Sequence, residues 1–106
     1  MVHHIVQIRL KSEIHEEKIE DLMVESRIHL LKISEVMNLR CGKRINTTEN
    51  PYHFFFSMDV ENMAKFKVVE QSATYLKFRH QVLDPVSAEI LQLSYEMEPG
   101  KDVRYS

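Results

Sequence analysis

Tryptophan is absent from these 106 residues, cysteine occurs once, glycine twice and proline three times. The lone Cys41 excludes an intramolecular disulfide and makes a reducing cytoplasm the expected compartment. The few glycines and prolines (Gly42, Gly100, Pro51, Pro85 and Pro99) leave no flexible linker, and each falls near an expected element boundary. Excess charge of one sign is also missing. The formal net charge is −2, which gives no electrostatic case for nucleic acid or an anionic membrane. No apolar run approaches the roughly 20 residues of a membrane helix. The opening MVHHIVQIRLK has too short an apolar stretch for a signal peptide and no basic leader. There is no internal repeat and no low-complexity tract.

What is present is periodicity. Residues 3–10 alternate, with His4, Val6, Ile8 and Leu10 on one face of a strand and His3, Ile5, Gln7 and Arg9 on the other. Residues 15–32 follow helical spacing through Ile19, Leu22, Met23 and Leu30, with Glu16, Glu17, Glu20 and Asp21 in the first turns, where the helix dipole favours acids. A strand is expected over 36–43 and a polar turn from Asn46 to Pro51. Tyr52 to Val60 is the strongest strand pattern: Phe54, Phe56, Met58 and Val60 against His53, Phe55, Ser57 and Asp59. Asn62 caps a helix carrying Met63, Phe66 and Val69, and Ser72 caps another carrying Tyr75, Phe78 and Val82. Asp84-Pro85 stops it. Residues 89–97 read as a last strand, with Leu91, Leu93, Tyr95 and Met97 on one face.

That order is satisfied by an α+β domain: a ferredoxin-like four-stranded antiparallel sheet with helices on one face. Residues 1–98 form the domain and 99–106 a short polar tail. Ile5, Phe55 and one face of the last strand then point away from the helices. Soluble monomers seldom leave such a patch wet. A two-fold homodimer through the sheet face removes it.

The pieces HHIVQIRLK, LRCGKRI, YHFFFSMDVEN, SATYLKF and LQLSYEMEPG, in this order and spacing, resemble the stress-responsive α/β-barrel (Dabb) family of dimeric ferredoxin-like proteins. The resemblance covers nearly the whole chain. It implies two sheets joining as a barrel across the dimer and a small apolar cavity between sheet and helices. Some members of the family resemble polyketide cyclases that use a His–Tyr pair as acid and base. On that pattern His4 matches the histidine opening the first strand. The third-strand histidine falls at Phe54, with His53 one residue early and so on the opposite face. The cyclase base falls at Tyr75 and its tyrosine partner at Val69. A neutral phenol is a poor base at pH 7.

Candidate residues follow. His4 and Tyr75 are the polar pair. A cavity between sheet and helices would be lined by Val6, Ile8, Leu22, Met23, Phe54, Phe56, Met58, Met63, Phe66, Val69 and Phe78, a composition that suits an apolar ligand and equally a filled core. The six histidines lack zinc-site spacing, so neither metal nor cofactor is expected. Cys41 reads as a packing residue. Lys65, Lys67, Lys77, Arg79 and His80 read as a solvated helix face. YHFFFSMD lacks the basic-aromatic pattern of an RNA-recognition strand, and no nucleic acid is expected. Two readings result. The preferred one is a non-catalytic dimer whose role is assembly or binding of a small apolar molecule. The other is a cofactor-free enzyme acting through His4 and Tyr75.

Overall fold

The alternation of the first residues becomes β1 (Val2–Leu10), which is buried at every second position without a break. The computed structural model describes residues 1–45 and 49–98; Asn46, the start of the expected polar turn, and the expected tail from Pro99 onward lie outside them. β1 sits inside a four-stranded antiparallel sheet with β2 (Met37–Lys43), β3 (Phe54–Val60) and β4 (Ser87–Glu96), in the order β2–β3–β1–β4. Its register places His4 between Met58 of β3 and Ser94 of β4, and Ile5 between Ser57 and Leu93. α1 (Lys18–Leu30), α2 (Met63–Gln71) and α3 (Ala73–Phe78) cover one face of that sheet.

The covered face is the core. Val2, Val6, Ile8, Phe54, Phe56, Met58 and Val60 are all at 1% exposure or less, beneath Leu22, Leu30, Val69 and Phe78. Each such side chain contributes about 1.5–3 kcal/mol on leaving water, so this face alone gives a reason to fold. Phe56 and Phe78 meet edge-on with centroids 5.9 Å apart. The open face is mixed. Ile5, Phe55, Leu91 and Leu93 are half-buried there, while Tyr95 is 52% exposed. The Phe55 ring lies over Gly42: a Cβ at that glycine would stand 2.6 Å from Phe55 Cε1. Gly42 therefore supplies the floor on which the ring lies flat.

Both expected helix caps form. Asn62 Oδ1 accepts from the Lys65 amide at 2.9 Å, and Ser72 Oγ accepts from the Tyr75 amide at 3.2 Å. Ser72 also donates to the Val69 carbonyl, so one hydroxyl closes α2 and opens α3. α1 begins at Lys18 rather than at residue 15, because Glu17 offers no side-chain cap and the preceding residues form turns instead. β3 begins at Phe54 rather than Tyr52. The last helix is shorter than its pattern. After Phe78 the chain widens into a π turn, Arg79–Leu83, and then a 3-10 turn, Asp84–Val86. The wider turn brings Leu83 into the core in place of Val82, which is only half-buried. Met63, expected among the core residues, is 44% exposed at the first position of α2.

Candidate functional site

His4 is the polar residue in the apolar row of β1, and the strand's strict alternation is what carries it inside. It is 1% exposed. Its Nδ1 lies 2.8 Å from Ser94 Oγ, and its ring tilts against Phe66 with centroids 4.9 Å apart. Its Nε2 is buried with no hydrogen-bond partner among the described residues. Burial lowers the pKa to about 4, helped by the positive charges of Arg79 and His3, while a bond to the Leu93 carbonyl acts the other way. The ring is thus neutral at pH 7. Nδ1 is engaged at Ser94 Oγ, and Nε2 is the ring nitrogen left over.

Tyr75 comes from α3 and is 4% exposed. Its hydroxyl is also buried without a partner. Burial pushes its pKa up to about 12; the Arg79 charge opposes this and Glu70 adds to it. Tyr75 is therefore a neutral donor and no base near pH 7. A third buried atom lacks a partner, Arg79 Nε. Arg79 is the first residue of the π turn, four positions after Tyr75, and its backbone N–H reaches the Tyr75 carbonyl. The expected solvated basic face thus loses one member: the Arg79 side chain is only 28% exposed. Leaving such groups unbonded costs about 1–3 kcal/mol each, more for a charge. Among the described residues these are the buried side-chain nitrogen and oxygen atoms without a hydrogen-bond partner.

The expected lining residues Val6, Ile8, Leu22, Phe54, Phe56, Met58, Phe66, Val69 and Phe78 belong to one packed core cluster that also holds Tyr75, each at 4% exposure or less. Met23 is half-buried at the edge of the cluster. Two surface grooves of about 500 and 390 Å³ lie elsewhere, sharing Lys43, Arg44 and Ile45. Phe54 is the one expected lining residue that borders either of them. His53 lies just before β3; its Nδ1 accepts from the Leu10 amide at 3.1 Å, where the β1–β4 register shifts.

The open face carries its own polar cluster. His3 Nδ1 lies 2.7 Å from Asp59 Oδ1, and Asn38 Nδ2 donates to Asp59 Oδ2 at 2.9 Å. Asn38 reaches it from a bulge in β2, where its φ of 51° is left-handed, a conformation asparagine tolerates. Burial acts to raise the Asp59 pKa, but the hydrogen bonds from Asn38 and His3, with the charges of His3 and Arg40, outweigh it and hold the carboxyl low. Cys41 is a half-buried free thiol whose pKa is raised by burial, so it is a poor nucleophile. Among the described residues no three His, Cys, Asp or Glu side chains gather as a metal site, and no helix is long and apolar enough to cross a membrane.

The strand order, the antiparallel pairing and the helices on a single face define a ferredoxin-like α+β protein. Residues 2–97 match the model of the stress responsive A/B barrel domain, Dabb. The chain belongs to this family. No curated protein matches it. Among solved structures it is similar to a Dabb family protein with a ferredoxin-like fold from Mesorhizobium loti, at 22% identity and a TM-score of 0.79, over 92% of this chain and 96% of that one. It is similar to a dimeric ferredoxin-like protein of unknown function from Thermobifida fusca, at 14% identity and a TM-score of 0.79, over 91% and 90% of the two chains. It also resembles the hydroxynitrile lyase of Passiflora edulis, at 20% identity and a TM-score of 0.76, over 95% and 96%. Identities this low speak to the fold alone.

Proposed function

We propose that the protein is a homodimer joined through its open sheet face, and that its interior between sheet and helices binds a small, largely apolar molecule against His4 and Tyr75. One observation carries the binding reading: His4 Nε2 and the Tyr75 hydroxyl are buried side-chain atoms with no partner, set in an otherwise apolar core. A ligand oxygen bonded to them would remove that cost. Apolar walls with very few polar groups are the composition of a small-molecule site. The half-buried apolar side chains of the open face, and the dimeric fold neighbour, support the two-fold assembly. A free Cys41 thiol fits a reducing cytoplasm.

Binding is preferred to catalysis on chemical grounds. A general base works best with a pKa near the working pH, and His4 at about 4 is far from it. Tyr75, held neutral up to about 12, supplies a hydrogen bond rather than a base. The test is a thermal-shift screen of small aromatic and aliphatic compounds on the native chain and on His4→Gln and Tyr75→Phe. A ligand at one hundred times its Kd stabilises by about 2.7 kcal/mol, a shift of several degrees. The reading expects such a shift in the native chain and a smaller one in both variants. Shifts that are equal in all three proteins would remove the pair from the site.

A further inference from the structure

We propose that the outer face of α1 is a second, weaker contact between copies of this chain, in which two α1 helices pack antiparallel about a two-fold axis and stack the sheet-joined pairs one upon another. The helix contact goes beyond the reading above; the stacking rests on it.

α1 carries apolar residues on both of its sides. Ile19, Leu22, Ser26 and Leu30 are buried on the inner one. At 3.6 residues per turn Val24, Ile28 and Leu31 fall on the opposite side. Their spacing of four and then three makes them one continuous stripe. They are 43%, 49% and 63% exposed, where a helix laid over a sheet ordinarily turns polar residues outward. The other exposed apolar side chains of the helices form no such stripe. Met63 and Val68 stand five apart on α2 and so on different sides, and Leu76 is alone on α3.

The charges around the stripe select a second copy as its cover. Exposed acids, Glu17, Glu20 and Asp21, stand at its start, and exposed bases, Arg27 and Lys32, at its end. Glu20 and Arg27 are seven apart and share one flank of the stripe. A second α1 turned end for end about Val24 sets each copy's Glu20 over the other's Arg27, twice by symmetry, with Val24 against Val24 between them. A parallel copy would set acids over acids. The ion pairs of this region use Glu16, Lys18, Glu20, Asp21, Glu25 and His29 and leave Arg27 and Lys32 without one among the described residues. Glu20 holds Lys43 Nζ at 3.2 Å, yet its side chain is 66% exposed and open to a second cation. The stripe points away from the sheet, so the helix contact and the sheet contact lie on opposite sides of the chain. Two such contacts do not close on each other, and the pairs stack without limit. A patch of three apolar side chains falls well short of a standard interface, which fits a Kd of roughly 0.2 mM.

The experiment is sedimentation equilibrium of the full chain over a range of concentrations. The mean mass should stand at two chains near about 10 µM and climb past four near about 1 mM, less steeply in high salt. Arg27→Glu sets acids over acids and should weaken the stacking about tenfold or more, leaving the two-chain mass at low concentration. Adding Glu20→Lys to Arg27→Glu restores opposite charges in reversed order and should bring the climb back. Phe55→Asp, which leaves the helix contact alone, should stop at two chains. A native mass fixed at two chains throughout, a plateau at four, or an equal climb in the native chain and Arg27→Glu overturns the proposal. A native single chain near about 10 µM overturns the sheet-joined pair and the stacking with it, and the charge-reversal series then decides the helix contact by itself.

Discussion

The two faces of the one sheet differ in what completes them. On the covered face the inward residues of β1 and β3 are sealed by the chain's own helices, down to 0% exposure at Ile8, Phe56 and Met58. Its flaw is polar: among the described residues three buried side-chain atoms, on His4, Tyr75 and Arg79, have no hydrogen-bond partner. On the open face the apolar side chains Ile5, Phe55, Leu91 and Leu93 remain half in water, yet its polar groups, His3, Asn38 and Asp59, bond one another. One face is closed to water but unsatisfied in its hydrogen bonds; the other is satisfied in its hydrogen bonds but unsatisfied in its apolar area. The first condition suits a small polar-headed ligand, the second a broad protein surface.

The contrast can be broken one face at a time. Met58→Asp places a charge at a fully buried position of the covered face, so it should cost at least about 4 kcal/mol and abolish cooperative unfolding. A normal urea transition would show that this face is not the core. His4 tests the same face more gently. Its pKa is lowered to about 4 in the fold, below the ordinary 6.5, so the unfolded chain takes up a proton first as pH falls. Stability is then full above about pH 6.5, drops by about 3 kcal/mol down to about pH 4 and levels below it. Urea titrations across that range should show this slope and its loss in His4→Gln; the same slope in both proteins would exonerate His4.

Changes on the open face should spare the fold and strike the assembly. Phe55→Asp should weaken the dimer about thirtyfold or more, roughly 2 kcal/mol, while the chain still melts cooperatively. Unchanged sedimentation would show that the interface lies elsewhere. Gly42→Ala is milder, because the clash falls on the far edge of a ring that can turn aside. It should lower stability by about 1 kcal/mol. A melting curve identical to that of the native chain would show that the ring does not rest on Gly42.

Most of the fold was legible because alternation and capping are local. The two faces of β1 and β3 follow from period-two reading, and Asn62 and Ser72 cap where their side chains can only compete with a helix interior. What escaped was set by geometry without a local signal. Nothing in RHQVLDP announces a π turn, so Val82 was read into the core in place of Leu83. Arg79 shows the same limit at the site. Among Lys65, Lys67, Lys77 and His80 it reads as one more solvated base, and only the helix packing turns its Nε inward. Its spacing of four from Tyr75 was the available clue, and it gains meaning once Tyr75 is seen to be buried. His4 was legible for the opposite reason: a histidine at an apolar position of a strictly alternating strand has nowhere to go but inside.

Sedimentation equilibrium of the native chain at micromolar concentration tests the two-faced sheet most directly. A single species at twice the chain mass, reverting to the chain mass in Phe55→Asp, is the expected result. A well-folded monomer in the native protein would contradict it, since Ile5, Phe55, Leu91 and Leu93 would then need no cover at all.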